Sequence, residues 1–265
     1  MKKLYLGTNT KMYKTIRDTC EFLEQLKKLT VHIPPEAELF VIPSYTSLAK
    51  AGEILQDSRI RLGAQNMCWE AEGQFTGEVS PKMIRETGAG IIEIGHSERR
   101  HVFRETDEEE NRKVKAAVRE GFTALLCVGE TGADKEAGIS DEVLRIQLKK
   151  GLVGLSHEDS GSQWVAYEPV WAIGIGGVPA SPAYAAERHR TIRETLRRLF
   201  GDEKGQEIPV LYGGSVNKEN ARGFLGIDNV DGLFIGRSAW DARNFTEIIE
   251  LACETAGLIK KGEPR

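Results

Sequence analysis

The sequence predicts an α/β protein in which eight parallel strands, with helical sequence between them, close into a single (β/α)8 barrel. Three observations lead to this fold. Short apolar, β-branched runs recur eight times, and segments with helical periodicity lie between them. This alternation is typical of parallel strands joined by right-handed crossovers. The chain has 265 residues without a long linker, a length that such barrels reach as one unit. We therefore expect one domain over residues 1–265.

The predicted strands each span five or six residues rich in branched and aromatic side chains, at 3–8, 39–43, 59–64, 91–95, 123–128, 163–168, 209–213 and 231–236. The helical segments lie at 20–29, 47–56, 111–121, 141–152, 186–200 and 246–257. Eight parallel strands can close on themselves, which removes both exposed sheet edges. An open, doubly wound sheet is the alternative arrangement of the same elements.

Composition and charge narrow the class of function. Hydrophobic residues make up 40% of the chain and charged residues 29%, which is typical of a globular enzyme. The net charge is −4 with both signs interspersed, so no basic stripe indicates a nucleic-acid partner. No apolar run has the length of a membrane span or of a signal peptide. Four scattered cysteines form no metal or disulfide motif, so we expect a reducing, cytoplasmic location.

In closed barrels of this kind the chemistry occurs in the loops at the carboxyl ends of the strands. Polar residues stand at several of these positions: Asn9 and Lys11 after the first strand, His96, Ser97 and Glu98 after the fourth, Glu130 after the fifth and Glu168 after the sixth. If the barrel closes, these side chains face one mouth. That mouth holds an ammonium group, an imidazole and at least one carboxylate.

The segment AYEPVWAIGIGGVPASP (166–182) places Glu168 at the end of an apolar strand, directly before a glycine-rich loop. A carboxylate among apolar side chains is a stronger base than one in water, which suits a general base. The alternative is a structural glutamate paired with an arginine of the barrel. For His96 the alternative is a structural histidine. A metal site is disfavoured, because His96 and Glu98 lack an evident third ligand.

Two glycine-containing loops after the seventh and eighth strands indicate a phosphate site. YGGSVN contains Ser215, and IGRSAWD contains Gly236 and Arg237; each places a glycine beside a polar residue where a short helix can begin. Main-chain N–H groups at such a helix start bind anions. Gly174 adds a third loop. A dinucleotide fingerprint is excluded, because its last glycine position in GIGGVP is Pro179.

These residues together resemble the triosephosphate isomerase family over nearly the whole chain. The matching segments are NTKM (9–12), GAQN (63–66), FTGEVSP (75–81), EIGHSERR (93–100), CVGE (127–130), AYEPVWAIG (166–174), YGGSVN (212–217) and DGLFIG (231–236). The resemblance implies the TIM-barrel fold, an isomerase acting on a small phosphorylated sugar, and no cofactor or metal. It also implies a role in glycolysis and gluconeogenesis.

The resemblance implies a role for each matching residue. Glu168 would transfer the proton between neighbouring carbons, His96 would polarise the enediolate oxygens, and Lys11, placed by Asn9, would stabilise negative charge. The supporting residues would be Glu98, Ser97 and Cys127. The phosphate-binding residues would be Gly174, Ser215, Gly236 and Arg237.

The resemblance also implies a lid and a dimer. A loop hinged at Pro169 and Pro179, with Gly176 and Gly177 at its tip, would close over the substrate and exclude water from the enediolate. In the family the FTGEVSP loop reaches into a neighbouring subunit. We therefore expect a homodimer in which Thr76 lies near the site of the partner.

Three departures from the family pattern lie in loops that surround the expected substrate. Thr10 stands where the family has tryptophan, Arg237 replaces the second of two glycines, and the lid is one residue longer. These departures resemble a side branch that interconverts L-erythrulose 1-phosphate and D-erythrulose 4-phosphate. We expect the three-carbon substrate first and the four-carbon substrate second. A Schiff-base enzyme using Lys11 is disfavoured by its polar loop, and a non-catalytic sugar-phosphate binding protein is the remaining alternative.

Overall fold

The computed structural model describes residues 3–174 and 177–260. In this part of the chain eight parallel strands form one closed barrel in which neighbours along the chain are neighbours in space. The strands β1 to β8 are Leu4–Asn9, Ala37–Ile42, Arg61–Ala64, Ile91–Ile94, Thr123–Val128, Gln163–Tyr167, Val210–Tyr212 and Gly232–Ile235. The ring closes where β1 pairs with β8, with Tyr5 opposite Gly232. The predicted TIM barrel is confirmed, and the open sheet is excluded.

The helices α1 to α11 are Ile16–Leu29, Tyr45–Leu55, Pro81–Glu86, Ser97–His101, Asp107–Arg119, Gly132–Glu136, Ser140–Gly151, Pro182–Phe200, Asp202–Glu207, Ala221–Leu225 and Ala242–Thr255. Single turns of 3-10 helix occur at Glu158–Ser162, Val170–Ala172 and Arg237–Ala239. Each of the six predicted segments coincides largely with one of the six long helices, α1, α2, α5, α7, α8 and α11. α1 begins earlier than predicted because Thr15 and Asp18 form a reciprocal capping box at its first turn.

The sequence analysis missed the short helices α3, α4, α6, α9 and α10. Each has five or six residues, fewer than two turns, so none can show an apolar period. Local signals still mark some of them. Ser80 caps α3 through a hydrogen bond from the Met83 N–H, and Pro81 occupies its first position.

The alternation of side chains along the strands separates two cores. One set fills the barrel interior and includes Phe40, Ile91, Leu125, Trp164 and Phe234. The alternate residues pack outward against the helices. Gly7 shows how tightly the interior is filled, because a Cβ atom there would lie 2.2 Å from the ring of Phe40. The same alternation turns Asn9, Glu93 and Cys127 inward at the carboxyl end of the barrel.

None of the helices in the described ranges combines the length and hydropathy that a bilayer crossing requires. Gly176, expected at the lid tip, lies outside the described residues.

Candidate active site

A cavity of about 290 Å³ opens at the carboxyl ends of the strands. Nine of the residues predicted for the site line it: Asn9, Lys11, His96, Glu98, Glu168, Gly174, Ser215, Gly236 and Arg237. They come from the last residue of β1 and from the loops after β1, β4, β6, β7 and β8, which converge only because the barrel closes. Ser97 and Cys127 lie behind this surface, both buried. Thr76 lies in the exposed loop after β3.

Glu168 follows β6 and is 4% exposed. Its main-chain N–H donates to the Val128 carbonyl at 2.8 Å, which fixes the residue against β5. Gly213 leaves room for its side chain, since a Cβ atom there would lie 2.9 Å from Glu168 Cγ. Its Oε2 atom is buried without a hydrogen-bond partner among the described residues, and the carboxylate pairs there with no arginine. This arrangement does not fit the alternative of a strand-capping ion pair.

His96 stands at the N-terminus of α4 and faces Glu168. Its Nδ1 atom accepts a hydrogen bond from the Glu98 N–H at 3.2 Å. An Nδ1 that accepts carries no proton, so the proton of the neutral ring is assigned to Nε2. That Nε2 lies 3.7 Å from Glu168 Oε2. The imidazole therefore presents an N–H donor beside the carboxylate at the cavity wall.

Lys11 adopts φ 51°, an uncommon value for a residue with a side chain. Its main-chain N–H donates to Asn9 Oδ1 at 2.6 Å, and Gln65 Nε2 donates to its carbonyl at 2.9 Å. Its Nζ atom donates to Glu98 Oε1 at 2.8 Å. Burial by itself would lower the pKa of Lys11, but this hydrogen bond and the nearby carboxylates raise it. A charged ammonium suits charge stabilisation and disfavours Schiff-base chemistry.

The supporting residues lie around this group. Burial would raise the pKa of Glu98, but the hydrogen bond from Lys11 and the neighbouring imidazole lower it. Ser97 is the buried first residue of α4. Cys127 lies inside the barrel with its Sγ 3.9 Å from Glu93 Oε1, and burial followed by the charges of Glu168 and Glu93 raises the pKa of its thiol.

Glu93 is a residue that the sequence analysis missed. It is the third residue of β4, it is fully buried, and both its carboxyl oxygens accept hydrogen bonds from Asn9 Nδ2, at 3.0 and 2.7 Å. Burial, followed by the charge of Glu168, raises its pKa well above the ordinary value. The signal was present, because IIEI places one acid on the inward face of an apolar strand. The expected site residues were those that follow the strands, and Glu93 lies within a strand.

The structure corrects the expectation that His96 has no further ligand atoms near it. Glu93, His96 and Glu168 bring donor atoms within 4.8 Å of one another, so His96 does not lack neighbouring ligand atoms. Metal binding requires a deprotonated carboxylate, whereas the raised pKa of Glu93 favours the neutral acid. Its two oxygens are also occupied by the Asn9 amide. Both features make Glu93 a poor metal ligand.

A second part of the cavity wall consists of glycine-containing loops. Gly174 has φ 85°, a value that favours glycine. A 3-10 turn begins at Arg237, directly after Gly236, as predicted for IGRSAWD. No helix begins at Ser215, contrary to expectation: that segment forms a bend, and α10 starts only at Ala221. The side chain of Arg237 is exposed at the mouth.

Tyr13 and Trp240 also line the cavity, and the sequence analysis did not assign them to it. Their ring centroids lie 4.5 Å apart. Trp240 Nε1 donates to the Asn9 carbonyl at 2.9 Å, which ties the loop after β8 to the loop after β1. An aromatic pair therefore closes the side of the cavity between the two walls.

Glu130, placed at the mouth by the sequence analysis, instead holds the base of the glycine-rich loop. It is fully buried and accepts hydrogen bonds from Trp171 Nε1 at 2.8 Å and from the hydroxyl groups of Tyr184 and Tyr167 at 3.0 and 3.1 Å. Trp171 lies three residues before Gly174. The start of the expected lid is thus anchored by a buried carboxylate.

Comparison with known proteins agrees with this geometry. The family model described as triosephosphate isomerase matches residues 4–252. The chain belongs to the triosephosphate isomerase family. An L-erythrulose-1-phosphate isomerase from Rhizobium etli is 41% identical over 263 residues, which cover 99% of this chain and 96% of the relative. A triosephosphate isomerase from Solibacter usitatus is 42% identical over 249 residues, covering 94% and 99%.

A further triosephosphate isomerase, from Fusobacterium nucleatum, is 42% identical over 250 residues, covering 94% of this chain and 99% of the relative. These names confirm the predicted resemblance and the class of enzyme, an isomerase of the triosephosphate isomerase family. The relatives are named for two different substrates at nearly equal identity.

Proposed function

We propose that this protein interconverts dihydroxyacetone phosphate and glyceraldehyde 3-phosphate by proton transfer through an enediolate. One observation carries the proposal. Glu168 Oε2 is buried without a hydrogen-bond partner among the described residues and lies 3.7 Å from His96 Nε2. Both side chains line a cavity that the glycine-containing loops also line. An unpartnered carboxylate beside an N–H donor is the pair that abstraction of a proton next to a carbonyl requires.

In the proposed reaction Glu168 takes a proton from the carbon next to the carbonyl group, and the C–H electron pair moves to form the enediolate. The Nε2–H of His96 donates to the oxygens on which negative charge develops. The ammonium group of Lys11, held at a defined position by Asn9, stabilises the same charge. A proton also passes from the hydroxyl group on the first carbon to the oxygen on the second, beside the Nε2–H of His96. Glu168 then returns its proton to the second carbon, which completes the isomerisation without a cofactor.

We assign phosphate binding to main-chain N–H groups of Gly174, Ser215, Gly236 and Arg237, which line the same cavity. Holding the phosphate there fixes the reacting carbons relative to Glu168. Closure of the loop after Trp171 would exclude water from the enediolate, which otherwise can lose its phosphate. The remaining residues have supporting roles. Glu98 holds Lys11, Ser97 holds His96, and Cys127 holds the inward face of β5.

The second candidate is interconversion of L-erythrulose 1-phosphate and D-erythrulose 4-phosphate by the same residues. The identity of 41% to the Rhizobium etli relative, across 99% of this chain, favours it. The departures from the family pattern at Thr10 and Arg237 also favour it. The indole of Trp240, which lines the cavity, favours it as well. One additional carbon changes discrimination by only about 1–3 kcal/mol in a pocket, so the two candidates share one mechanism.

The test compares the initial rates for dihydroxyacetone phosphate and L-erythrulose 1-phosphate on one preparation, with Glu168→Gln purified identically to measure the background. We expect turnover of at least one substrate, and the larger kcat/KM assigns it. A protein that binds both phosphates without turning over either would be the non-catalytic binding protein instead. Borohydride treatment with substrate should leave the mass of the protein unchanged, whereas an adduct at Lys11 would indicate Schiff-base chemistry.

We also propose a homodimer in which Thr76 approaches the site of the partner. The loop after β3 is exposed, and Phe75 and Met83 beside it are 42% and 58% exposed and line one groove. Apolar side chains grouped in this way are typical of a contact surface. Sedimentation equilibrium of the wild type and of Thr76→Arg tests the proposal, since the bulky charge should dissociate the dimer.

We propose that the chain forms one domain over residues 1–265 and acts in the cytoplasm, in glycolysis and gluconeogenesis. The barrel and its helices occupy the chain from Leu4 to Thr255, which supports a single domain. Cys20, Cys68 and Cys127 lie in the described ranges as thiols outside any disulfide, which suits a reducing compartment. Limited proteolysis without a stable fragment, and fractionation of cells expressing the tagged chain, test these two statements.

A further inference from the structure

Glu93 lies directly beneath the residues assigned to proton transfer. The alternation in β4 turns it into the barrel with Ile91, and its side chain is fully buried. One of its carboxyl oxygens lies within 4.8 Å of ligand atoms of both His96 and Glu168. Because no part of it reaches the cavity surface, it acts on the reaction only through its neighbours.

The first of these neighbours is Asn9, whose amide has a donor end and an acceptor end. Nδ2 donates to both oxygens of Glu93. This fixes the donor end toward the barrel interior and leaves Oδ1 to accept from the Lys11 N–H at 2.6 Å and from Gln65 Nε2 at 3.0 Å. A flipped amide would place its NH₂ group against two donors and its oxygen against a carboxyl group. Glu93 therefore selects the orientation of Asn9.

That orientation bears on Lys11. Its main chain has φ 51°, and the hydrogen bond to Asn9 Oδ1 satisfies its N–H in this uncommon conformation. If Asn9 lost its orientation, the main chain of Lys11 would lose this bond and its ammonium group would shift relative to the cavity. Glu93 is thus connected to Lys11 through one intervening side chain.

Charge gives Glu93 a second role. The groups that face it or act on it electrostatically are Asn9 and Lys11 from the loop after β1, His96 and Glu98 after β4, Cys127 of β5 and Glu168 after β6. Its direct hydrogen-bond partners, the Asn9 amide and the Cys127 thiol, carry no positive charge. The ammonium of Lys11 is paired with Glu98. Two ionised carboxylates this close and this buried repel each other strongly.

We propose, on the basis of the isomerase activity proposed above, that Glu93 is a positioning residue that orients Asn9 and Lys11 and that holds a proton so that Glu168 is the ionised carboxylate of the pair. Burial raises the pKa of Glu93 in agreement with this assignment. A neutral Glu93 adds no negative charge next to the enediolate. When Glu93 ionises at high pH, its charge opposes both proton abstraction by Glu168 and binding of the anionic substrate.

The activity test compares wild type, Glu93→Gln and Glu93→Leu from pH 6 to pH 10, with Glu194→Gln, an exposed glutamate on α8 outside the site, as the matched control. Glutamine keeps an acceptor for Asn9 but cannot ionise. We expect the wild-type and control kcat/KM to decline at high pH, and the decline to be absent in Glu93→Gln. Leucine removes the acceptor, and a displacement of Lys11 by about 1 Å should lower kcat/KM about 10- to 100-fold at every pH.

Thermal unfolding of the same proteins tests the assignment without requiring any turnover. A carboxyl group with a raised pKa in the folded state keeps its proton while the unfolded chain, with an ordinary value near 4.5, loses it. The unfolding temperature of the wild type should therefore fall relative to Glu93→Gln as the pH rises from 5 to 9. This result separates the inference from the proposed function, because it holds even if neither sugar phosphate is turned over.

Several outcomes would overturn the inference. They are an alkaline decline in Glu93→Gln equal to that of the wild type, full activity in a folded Glu93→Leu, or a difference in unfolding temperature that stays constant with pH. Activity that depends on added Zn²⁺ in the wild type and loses this dependence in Glu93→Gln would make the cluster a metal site instead.

Discussion

The cavity has two walls of different construction. The wall after β1, β4 and β6 consists of side chains held by hydrogen bonds, with Asn9, His96 and Glu168 all buried. The wall after β7 and β8 consists of main chain, with Gly236 and Ser215 partly exposed and the side chain of Arg237 in solvent. In the first wall, hydrogen bonds hold individual side-chain atoms in place. The second wall presents main-chain N–H groups, which almost any residue can supply.

The difference separates chemistry from binding. Proton transfer requires a base and a donor within a few tenths of an ångström of their working positions, so each side chain needs support from its neighbours. Anion binding by main-chain N–H groups needs only the loop conformation. Changes in the first wall should therefore lower kcat, and changes in the second should raise KM. The predictions below test this division, starting with the largest effect.

Glu168→Gln removes the base from the first wall and keeps the size of the side chain. We expect kcat to fall about 10²- to 10⁴-fold, the range for loss of a general base, with KM little changed. Steady-state kinetics on the assigned substrate measures it. Glu194→Gln, on the exposed surface of α8, serves as the control and should be fully active; equal activity of the two variants would refute the role of Glu168.

His96→Leu removes the Nε2–H donor. A lost donor to a developing oxyanion costs about 10²- to 10³-fold in kcat, so the expected loss is large but smaller than for the base. The exposed His157 provides the matched change, His157→Leu, which should leave kcat unaltered. If His96→Leu raised KM at constant kcat, the imidazole would belong to binding and the comparison of the walls would be wrong.

Arg237→Ala changes the second wall. Its guanidinium group is exposed, so its attraction for the phosphate is screened by water, and we expect KM to rise only about twofold to fivefold. The effect should shrink further at high salt, while kcat stays the same. Arg198→Ala, another exposed arginine far along the chain on α8, should change neither constant. A loss concentrated in kcat would place Arg237 in the chemistry instead.

Trp171→Phe is expected to have an effect about as small as that of Arg237→Ala. It removes the indole N–H that donates to Glu130 and keeps most of the ring. One such hydrogen bond contributes about 1 kcal/mol, so kcat/KM should fall less than about tenfold. Tyr184→Phe, which removes another donor to the same carboxylate, should give a similar decrease. A far larger loss in either variant would show that the anchor of this loop controls the chemical step.

The fold and much of the site were accessible from the sequence for physical reasons. Parallel strands buried on both faces read as short apolar runs, and long amphipathic helices have a period that can be counted. Closure then brings together the residues that follow the strands, such as Lys11 and His96. Glu168 was recognisable because an acid at the end of an apolar strand contrasts with its neighbours.

The missed features depend on contacts rather than on local pattern. Glu93 sits inside a strand, and its importance follows from Asn9 lying across the barrel, 84 positions away. Trp240 joins the site through the carbonyl of Asn9, 231 positions away. Ser215 was expected at a helix start, but the chain bends there, and the side chain of Asn220 holds the bend by donating to the Ser215 carbonyl at 2.9 Å. Local sequence does not encode these distant pairings.

The most direct test of the two-wall account is a calorimetric titration of wild type, Glu168→Gln and Arg237→Ala with glycerol 3-phosphate, which carries the phosphate but no carbonyl group. The account predicts that Glu168→Gln binds this ligand within about twofold of the wild type, although it has lost turnover. It also predicts weaker binding by Arg237→Ala. If Glu168→Gln lost affinity as severely as turnover, while Arg237→Ala bound normally, the assignment of chemistry to one wall and phosphate to the other would be contradicted.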